Sequence, residues 1–125
     1  MIDLKNKKIL VIGIASERSI ASGIAKTLGE AGADLVLTYQ NEKLKSRVQS
    51  IADQISSSTH VYECDLSSDE AIKTLQSNVE KDFKEIDIII HSAAYAPREE
   101  LSGDFLDNIT REGFKVAHDI SSYSF

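Results

Sequence analysis

Apolar residues fall along this chain in two alternating rhythms. Short apolar, often β-branched runs recur, and between them apolar positions repeat at helical spacing. The first run, Lys8 to Gly13, predicts a strand. From Ser19 to Ala31 the residues Ile20, Ile24, Ala25 and Leu28 mark one face of a helix that stops at Gly32. A second strand is predicted at Asp34 to Tyr39. A second helix follows at Glu42 to Ile55, with Leu44, Val48, Ile51, Ala52 and Ile55 on its inner stripe. The serines at 56–58 form a loop. His60 to Cys64 predicts a third strand, ending at Asp65-Leu66. Ser67 or Ser68 then caps a third helix that turns Ala71, Ile72, Leu75, Val79 and Phe83 inward. Ile86 to His91 predicts a fourth strand. A small-residue, polar loop runs from Ser92 to Asp104, and a last helix is predicted from about Thr110 to Phe125.

The run Ile88-Ile89-Ile90 lacks polar alternation, which predicts a strand covered on both faces. Strands and helices alternate with short loops, so the fold class is α/β, a doubly wound, Rossmann-like parallel sheet. The expected strand order is 3-2-1-4. It sets the carboxyl ends of strands one and four at the switch point, the crevice where such sheets bind ligands.

The loop leaving strand one therefore carries the candidate chemistry. A strand that breaks at Gly13 and feeds a helix start exposes N–H groups and a positive dipole end, which attract a pyrophosphate. The small residues Gly13, Ala15, Ser16, Ser19 and Ala21 let a ligand approach the backbone closely. The familiar G-x-G-x-x-G spacing is absent, since only Ser19, Ala21 and then Gly23 follow Gly13. By itself the stretch fits an ordinary βα turn as well as a nucleotide site. Its place at the switch point favours the nucleotide.

Composition narrows the partners. A chain of 125 residues is one domain or part of one and can bury about two-thirds of its unfolded surface. Hydrophobic residues at 42% and charged residues at 27% describe a soluble globular chain. A net charge of −6 argues against nucleic acid or an anionic membrane as partner. The apolar run Ile9 to Ile14 is too short for a signal-peptide core or a membrane span. The single cysteine, Cys64, excludes an internal disulfide and suits a reducing cytosol. It sits at a strand end with no histidine at suggestive spacing, so it is expected to pack rather than attack. His60, His91 and His118 lack metal-ligand spacing, and no metal site is expected.

Three segments, Gly13-Ile14-Ala15-Ser16-Glu17-Arg18-Ser19-Ile20-Ala21, Thr38-Tyr39-Gln40-Asn41-Glu42-Lys43-Leu44-Lys45 and Thr110 to Phe125, resemble the bacterial enoyl-acyl-carrier-protein reductases. These are divergent short-chain dehydrogenase/reductases that reduce enoyl thioesters with NADH in fatty-acid synthesis. The resemblance covers essentially the whole chain and corresponds to about the first half of a family member. The last segment is far more specific than any glycine-rich loop.

The resemblance implies a cofactor site. Gly13, Ala15, Ser19 and Ile20 match positions that wrap the pyrophosphate and the neighbouring ribose. Ile12 stands where Thr is frequent, which removes a hydroxyl but leaves the backbone donors. Gln40 follows strand two, where NAD-dependent folds commonly place an acid for the adenosine ribose. A neutral Gln neither repels nor specifically binds a 2′-phosphate, so it suits NADH without excluding NADPH. Lys43, Lys45 and Arg47 nearby also fit the solvated face of the second helix. Asp65 and Leu66 match the adenine site, and Asp65 equally fits a turn and cap residue. Ser92, Ala93 and Ala94 match the segment beside the ribose and nicotinamide. Ala94 stands where Gly is common, and its methyl group implies an altered fit for inhibitors that stack there. Tyr95 and Ala96 resemble residues at the substrate mouth, with Ala96 favoured as the contact.

Hydride transfer to an enoyl thioester puts charge on the thioester oxygen, which needs a donor and a nearby cation. The resemblance places that Tyr and Lys beyond the equivalent of Phe125, so no catalytic residue is expected within these 125 residues. Tyr39 and Lys43 have the Tyr-x-x-x-Lys spacing of short-chain dehydrogenases, but they stand at the adenosine end of the cofactor. Tyr123 has no following Lys, and Ser121 to Phe125 fits helix packing. The resemblance further implies acyl carrier protein as partner, a cytoplasmic setting and a homo-oligomer, a tetramer in the family. Acyl carrier protein is acidic, so its docking calls for a local basic patch. The exposed demands of strand four and of Ile120 and Phe125 suggest an incomplete unit, one dinucleotide-binding domain over 1–125 that continues in the full enzyme. Two alternatives remain at this point: a short-chain reductase for another substrate, or a nucleotide-binding module without turnover.

Overall fold

In a computed structural model, residues 2–56 and 58–125 are described. They form two compact units that divide between Ser92 and Ala93. The first unit holds β1 (Lys8–Ile12), α1 (Ile20–Glu30), β2 (Asp34–Tyr39), α2 (Glu42–Ile55), β3 (His60–Glu63), α3 (Asp69–Asp82) and β4 (Ile88–His91). All four strands pair in parallel, in the order β3-β2-β1-β4. Both the sheet and its order are those expected from the sequence, and β2 and α2 keep their expected limits.

The order fixes where the helices lie. Stepping from β1 to β2 to β3 in one direction with right-handed crossovers puts α1 and α2 on one face, and the reversal to β4 sends α3 to the other. The main core agrees. Ile9 and Val11 of β1 and Leu35, Leu37 and Tyr39 of β2 alternate onto the face covered by Ala21 and Ala25 of α1 and Val48, Ile51 and Ala52 of α2. The intervening Leu10, Ile12, Val36 and Thr38 are also buried, as are Leu75 and Val79 of α3. Two strands buried on both faces need no polar alternation, which is why their sequences are continuous apolar runs.

β4 departs from expectation. Ile88 and Ile89 are 36% and 48% exposed, and only Ile90 packs against the core. The strand is at the edge of this sheet, with β1 as its neighbour, so its apolar run does not translate into burial. It is also shorter at its start than predicted: Asp87 is taken up by β1, where its carboxylate pairs with the Lys7 ammonium at 2.7 Å and accepts the Lys8 N–H at 2.8 Å. Ser68, not Ser67, caps α3 by accepting the Ala71 N–H. Of the predicted inner positions of α3, Ala71, Ile72 and Phe83 are half-buried. In the loop expected at 56–58, Ser57 lies outside the described residues.

The second unit carries a 3-10 turn at Arg98–Leu101, a short helix α4 (Phe105–Asn108), α5 (Arg111–His118) and a π-helical turn at Asp119–Tyr123. Thr110 caps α5 by accepting the Gly113 N–H. The single helix expected to Phe125 thus changes pitch after His118, where the Ser124 N–H reaches back five residues to the Asp119 carbonyl.

Candidate functional site

Parallel strands all present their carboxyl ends along one edge of the sheet. Across that edge stand, in order, Asp65 and Leu66 after β3, Gln40 after β2, the Gly13 to Ile20 loop after β1, and Ser92 after β4. Neighbouring strands lie about 4.8 Å apart, so this row spans about 14 Å. Adjacent loops are tied together. The Cys64 N–H donates to the Tyr39 carbonyl at 2.8 Å, and the Ser92 N–H donates to the Ile12 carbonyl at 3.0 Å.

The β1–α1 corner is built around two residues. Gly13 has φ of 103°, a conformation that side chains with a Cβ rarely adopt, and it turns the chain sharply out of the strand. Ser19 then folds its hydroxyl back into the loop, accepting the N–H groups of Ala15 and Ser16, each at 3.0 Å. With two amides donating into it, the Ser19 hydroxyl keeps its own hydrogen to give. Because that side chain is spent on the loop, it does not cap α1.

The contrast with the other helices is chemical. Asn41, Ser68, Asp104 and Thr110 all cap their helices with a side-chain oxygen, and α2, α3, α4 and α5 each carry an acid in the first turn. α1 has neither. Its first amides and its positive dipole end stay available for an anion. Ile20, at the first position of α1, is 79% exposed. Glu17, the acid within the loop, accepts a hydrogen bond from Gln54 of α2 at 3.1 Å.

Gln40 is exposed just past β2. Asp65 does serve a turn: its carboxylate accepts from the Ser67 N–H at 3.0 Å and the Ser67 hydroxyl at 2.8 Å, leaving the second carboxylate oxygen for another donor. Leu66 is half-buried beside it. Tyr39 is buried, and burial pushes its phenol above the ordinary value, the opposite of what a catalytic tyrosinate needs. Cys64 is buried and its thiol is likewise raised, by burial first and by Asp65 second, which keeps it protonated. His60 stands at the start of β3, the opposite end of the strand from Asp65, against the Asp82 carboxylate at 3.3 Å. Among the described residues, no group of three or more His, Cys, Asp or Glu is placed to hold a metal ion, and no helix is long and apolar enough to cross a membrane.

The remaining expected residues belong to the second unit. Ala93 and Ala96 are half-buried, Ala94 is exposed, and Tyr95 is 48% exposed. The Tyr95 backbone is engaged twice by Ser121, whose hydroxyl accepts the Tyr95 N–H at 2.9 Å and donates to the Tyr95 carbonyl at 3.2 Å. Glu100 accepts from both the N–H and the hydroxyl of Thr110, at 2.9 and 2.6 Å. Neither contact was anticipated from the sequence, since each joins residues ten or more apart with no periodic signal.

A parallel sheet in this order, with a glycine turn feeding an open helix N-terminus, defines a Rossmann-type α/β protein. The family model described as Enoyl-(Acyl carrier protein) reductase matches residues 13–125. The chain belongs to that family. It is 48% identical over 122 residues to the enoyl-[acyl-carrier-protein] reductase [NADH] FabI of Escherichia coli K12, covering 98% of this chain and 46% of that protein. The corresponding Aquifex aeolicus protein is 50% identical over 121 residues, covering 97% of this chain and 44% of the relative. The crystal structure of the Aquifex reductase superposes with a TM-score of 0.89, covering 97% of this chain and 51% of that one. A reductase structure from Anaplasma phagocytophilum in complex with NAD superposes with a TM-score of 0.90 at 30% identity, covering 99% of this chain and 47% of the other. The chain spans about half the length of the curated relatives it matches.

Proposed function

We propose that this chain is the cofactor-binding half of an NADH-dependent enoyl-acyl-carrier-protein reductase, one dinucleotide-binding domain that continues in a longer enzyme. The observation that carries the reading is the uncapped, acid-free start of α1 behind Gly13, in a chain that belongs to this family. The Ser19 hydroxyl hydrogen and the first amides of α1, beside Gly13 and Ala15, hold the pyrophosphate, and exposed Ile20 packs on the neighbouring ribose. Gln40 faces the adenosine ribose, and the free oxygen of Asp65 accepts from the adenine amine while Leu66 packs the ring. Ser92, Ala93 and Ala94 lie beside the nicotinamide ribose and ring, and Tyr95 and Ala96 contact substrate. Gln40 carries no charge to bind or repel a 2′-phosphate, and the preference for NADH is inferred from the relatives, which are NADH reductases.

When bound, NADH supplies hydride to the β-carbon of a trans-2-enoyl thioester. The residues of this chain bind and orient; the Tyr and Lys that stabilise the thioester oxygen are assigned by family resemblance to sequence beyond Phe125. The partner is acyl carrier protein bearing the enoyl group. The full enzyme is a cytoplasmic homo-oligomer, a tetramer by resemblance. Support for self-association comes from α5 and the turn after it, which leave Phe114 and Tyr123 59% and 71% exposed.

The test is NADH oxidation by the complete polypeptide with a trans-2-enoyl thioester. Turnover supports the reading. Turnover of ketones alone would assign another short-chain reductase, and NADH binding without either turnover would assign a non-catalytic module. The 125-residue chain by itself is expected to bind NADH without turning over substrate.

A further inference from the structure

The segment that follows β4 is fixed within the second unit by one side chain. Ser121 stands in the π-helical turn Asp119–Tyr123, where the change of pitch after α5 redirects the side chains. Its hydroxyl takes the Tyr95 N–H and gives to the Tyr95 carbonyl, at 2.9 and 3.2 Å. This closes both backbone polar groups of one residue with one oxygen. Only a group that donates and accepts at the same atom can do so, which a hydroxyl does and a methyl cannot. Farther along, Glu100 ties the 3-10 turn Arg98–Leu101 to Thr110 at the start of α5. The Glu100 carboxylate also lies against Gly113, where an added Cβ would overlap it. Tyr95 to Pro97 is thus a short span held at both ends, with the Tyr95 ring itself 48% exposed.

We propose that Ser121 is a positioning residue for substrate binding: it holds the Tyr95 backbone so that Tyr95 and Ala96 meet the acyl thioester in a preformed arrangement. This rests on the functional reading above, in which Tyr95 and Ala96 contact substrate. Ser121 touches neither substrate nor cofactor in this account. Both of its side-chain hydrogen bonds go to the Tyr95 backbone, so releasing it is expected to loosen the span from Tyr95 to Pro97, and the loss falls on substrate binding.

The experiment compares the complete enzyme with its Ser121→Ala and Ser121→Thr variants, with an enoyl thioester and NADH each varied. Expected for Ser121→Ala is a KM for the thioester raised roughly fivefold to tenfold, the size of one or two lost hydrogen bonds, with the KM for NADH within about twofold of the parent. Ser121→Thr, which keeps the hydroxyl, is expected to restore most of the thioester KM. Hydrogen exchange gives a reading that does not depend on either variant folding: the Tyr95 amide of the unsubstituted protein exchanges more slowly than that of exposed Ala94. An unprotected Tyr95 amide overturns the proposal. So does Ser121→Ala with an unchanged thioester KM, or with thioester and NADH KM rising together. Absence of enoyl-thioester turnover in the unsubstituted enzyme overturns the functional reading, and the positioning role with it.

Discussion

Ser19 shows how one side chain can serve the fold of a loop and the readiness of a helix at once. By accepting the Ala15 and Ser16 amides it shapes the turn after Gly13, and by not capping α1 it leaves the first helical amides open. Ser19→Ala removes the clasp while the loop amides remain close to water, so the fold loses only about 0.5–1 kcal/mol. NADH affinity is expected to fall about tenfold, since the turn is no longer held in its binding shape. Fluorescence titration of NADH, set beside thermal melting, checks both parts. Tyr62, in the edge strand β3, gives a second residue-scale prediction. Its phenol donates to Asp82, and that bond, followed by burial, pushes it up to about 12. A folded-state value above the unfolded 10 means the bond stabilises fully below pH 10 and is lost as pH rises toward 12. Tyr62→Phe is therefore expected to cost less than about 1 kcal/mol near neutrality, the site being partly solvated, and to flatten the alkaline fall in melting temperature. Local chemistry of this kind was unevenly legible. Gly13 and Ser19 stand where a strand-to-helix turn needs small residues, so sequence alone marked them. The partners of Tyr62 and Ser121 lie 20 and 26 residues away and left no pattern.

At the scale of elements, α1 differs from its neighbours in what its N-terminus lacks, and that difference has a testable sign. An acid in the first turn of a helix is favourable by about 0.3–1 kcal/mol, because it complements the dipole and the open amides. Ile20 is the place to add one, being 79% exposed at the first helical position. Ile20→Glu is expected to leave the protein as stable or slightly more so. The same carboxylate would occupy and repel at the point proposed for the pyrophosphate, and NADH affinity should fall by tenfold or more at low salt, less as salt screens it. Opposite signs in melting and titration are the check; parallel loss of both would point to damage in the helix instead. Element limits were read well where periodicity was strong, as in β2 and α2. They were read poorly at β4, whose apolar run resembles a buried strand but ends half-exposed at the sheet edge. They were also missed at the π-helical turn, because a five-residue hydrogen bond needs no change in residue type that differs from an ordinary helix end.

Taken as a whole, the sheet of the first unit was legible because crossover handedness and the reversal after β3 leave few arrangements for four parallel strands. The side-chain tie between β4 and β1 was not, since Lys7 and Asp87 are 80 residues apart in sequence. Asp87 joins the two strands at their start, pairing with the Lys7 ammonium and accepting the Lys8 N–H. The Lys7 hydrogen bond first, and the Lys8 backbone second, hold its carboxyl below the ordinary 3.8. A depressed folded-state value contributes stability above the unfolded value, and that contribution is lost as pH falls through the folded one. Acid therefore loosens the β1–β4 edge as pH falls from the ordinary carboxylate value of 3.8 through the lower folded-state one. Asp87→Asn keeps the side chain's shape but removes the charge from the Lys7 pair. It is expected to lower the melting temperature modestly at neutral pH, to lessen the effect of added salt, and to make the lowest-pH part of the parent's decline disappear. Melting curves of the two proteins that run parallel from neutrality down through that acid range would show that this ion pair does not govern the edge.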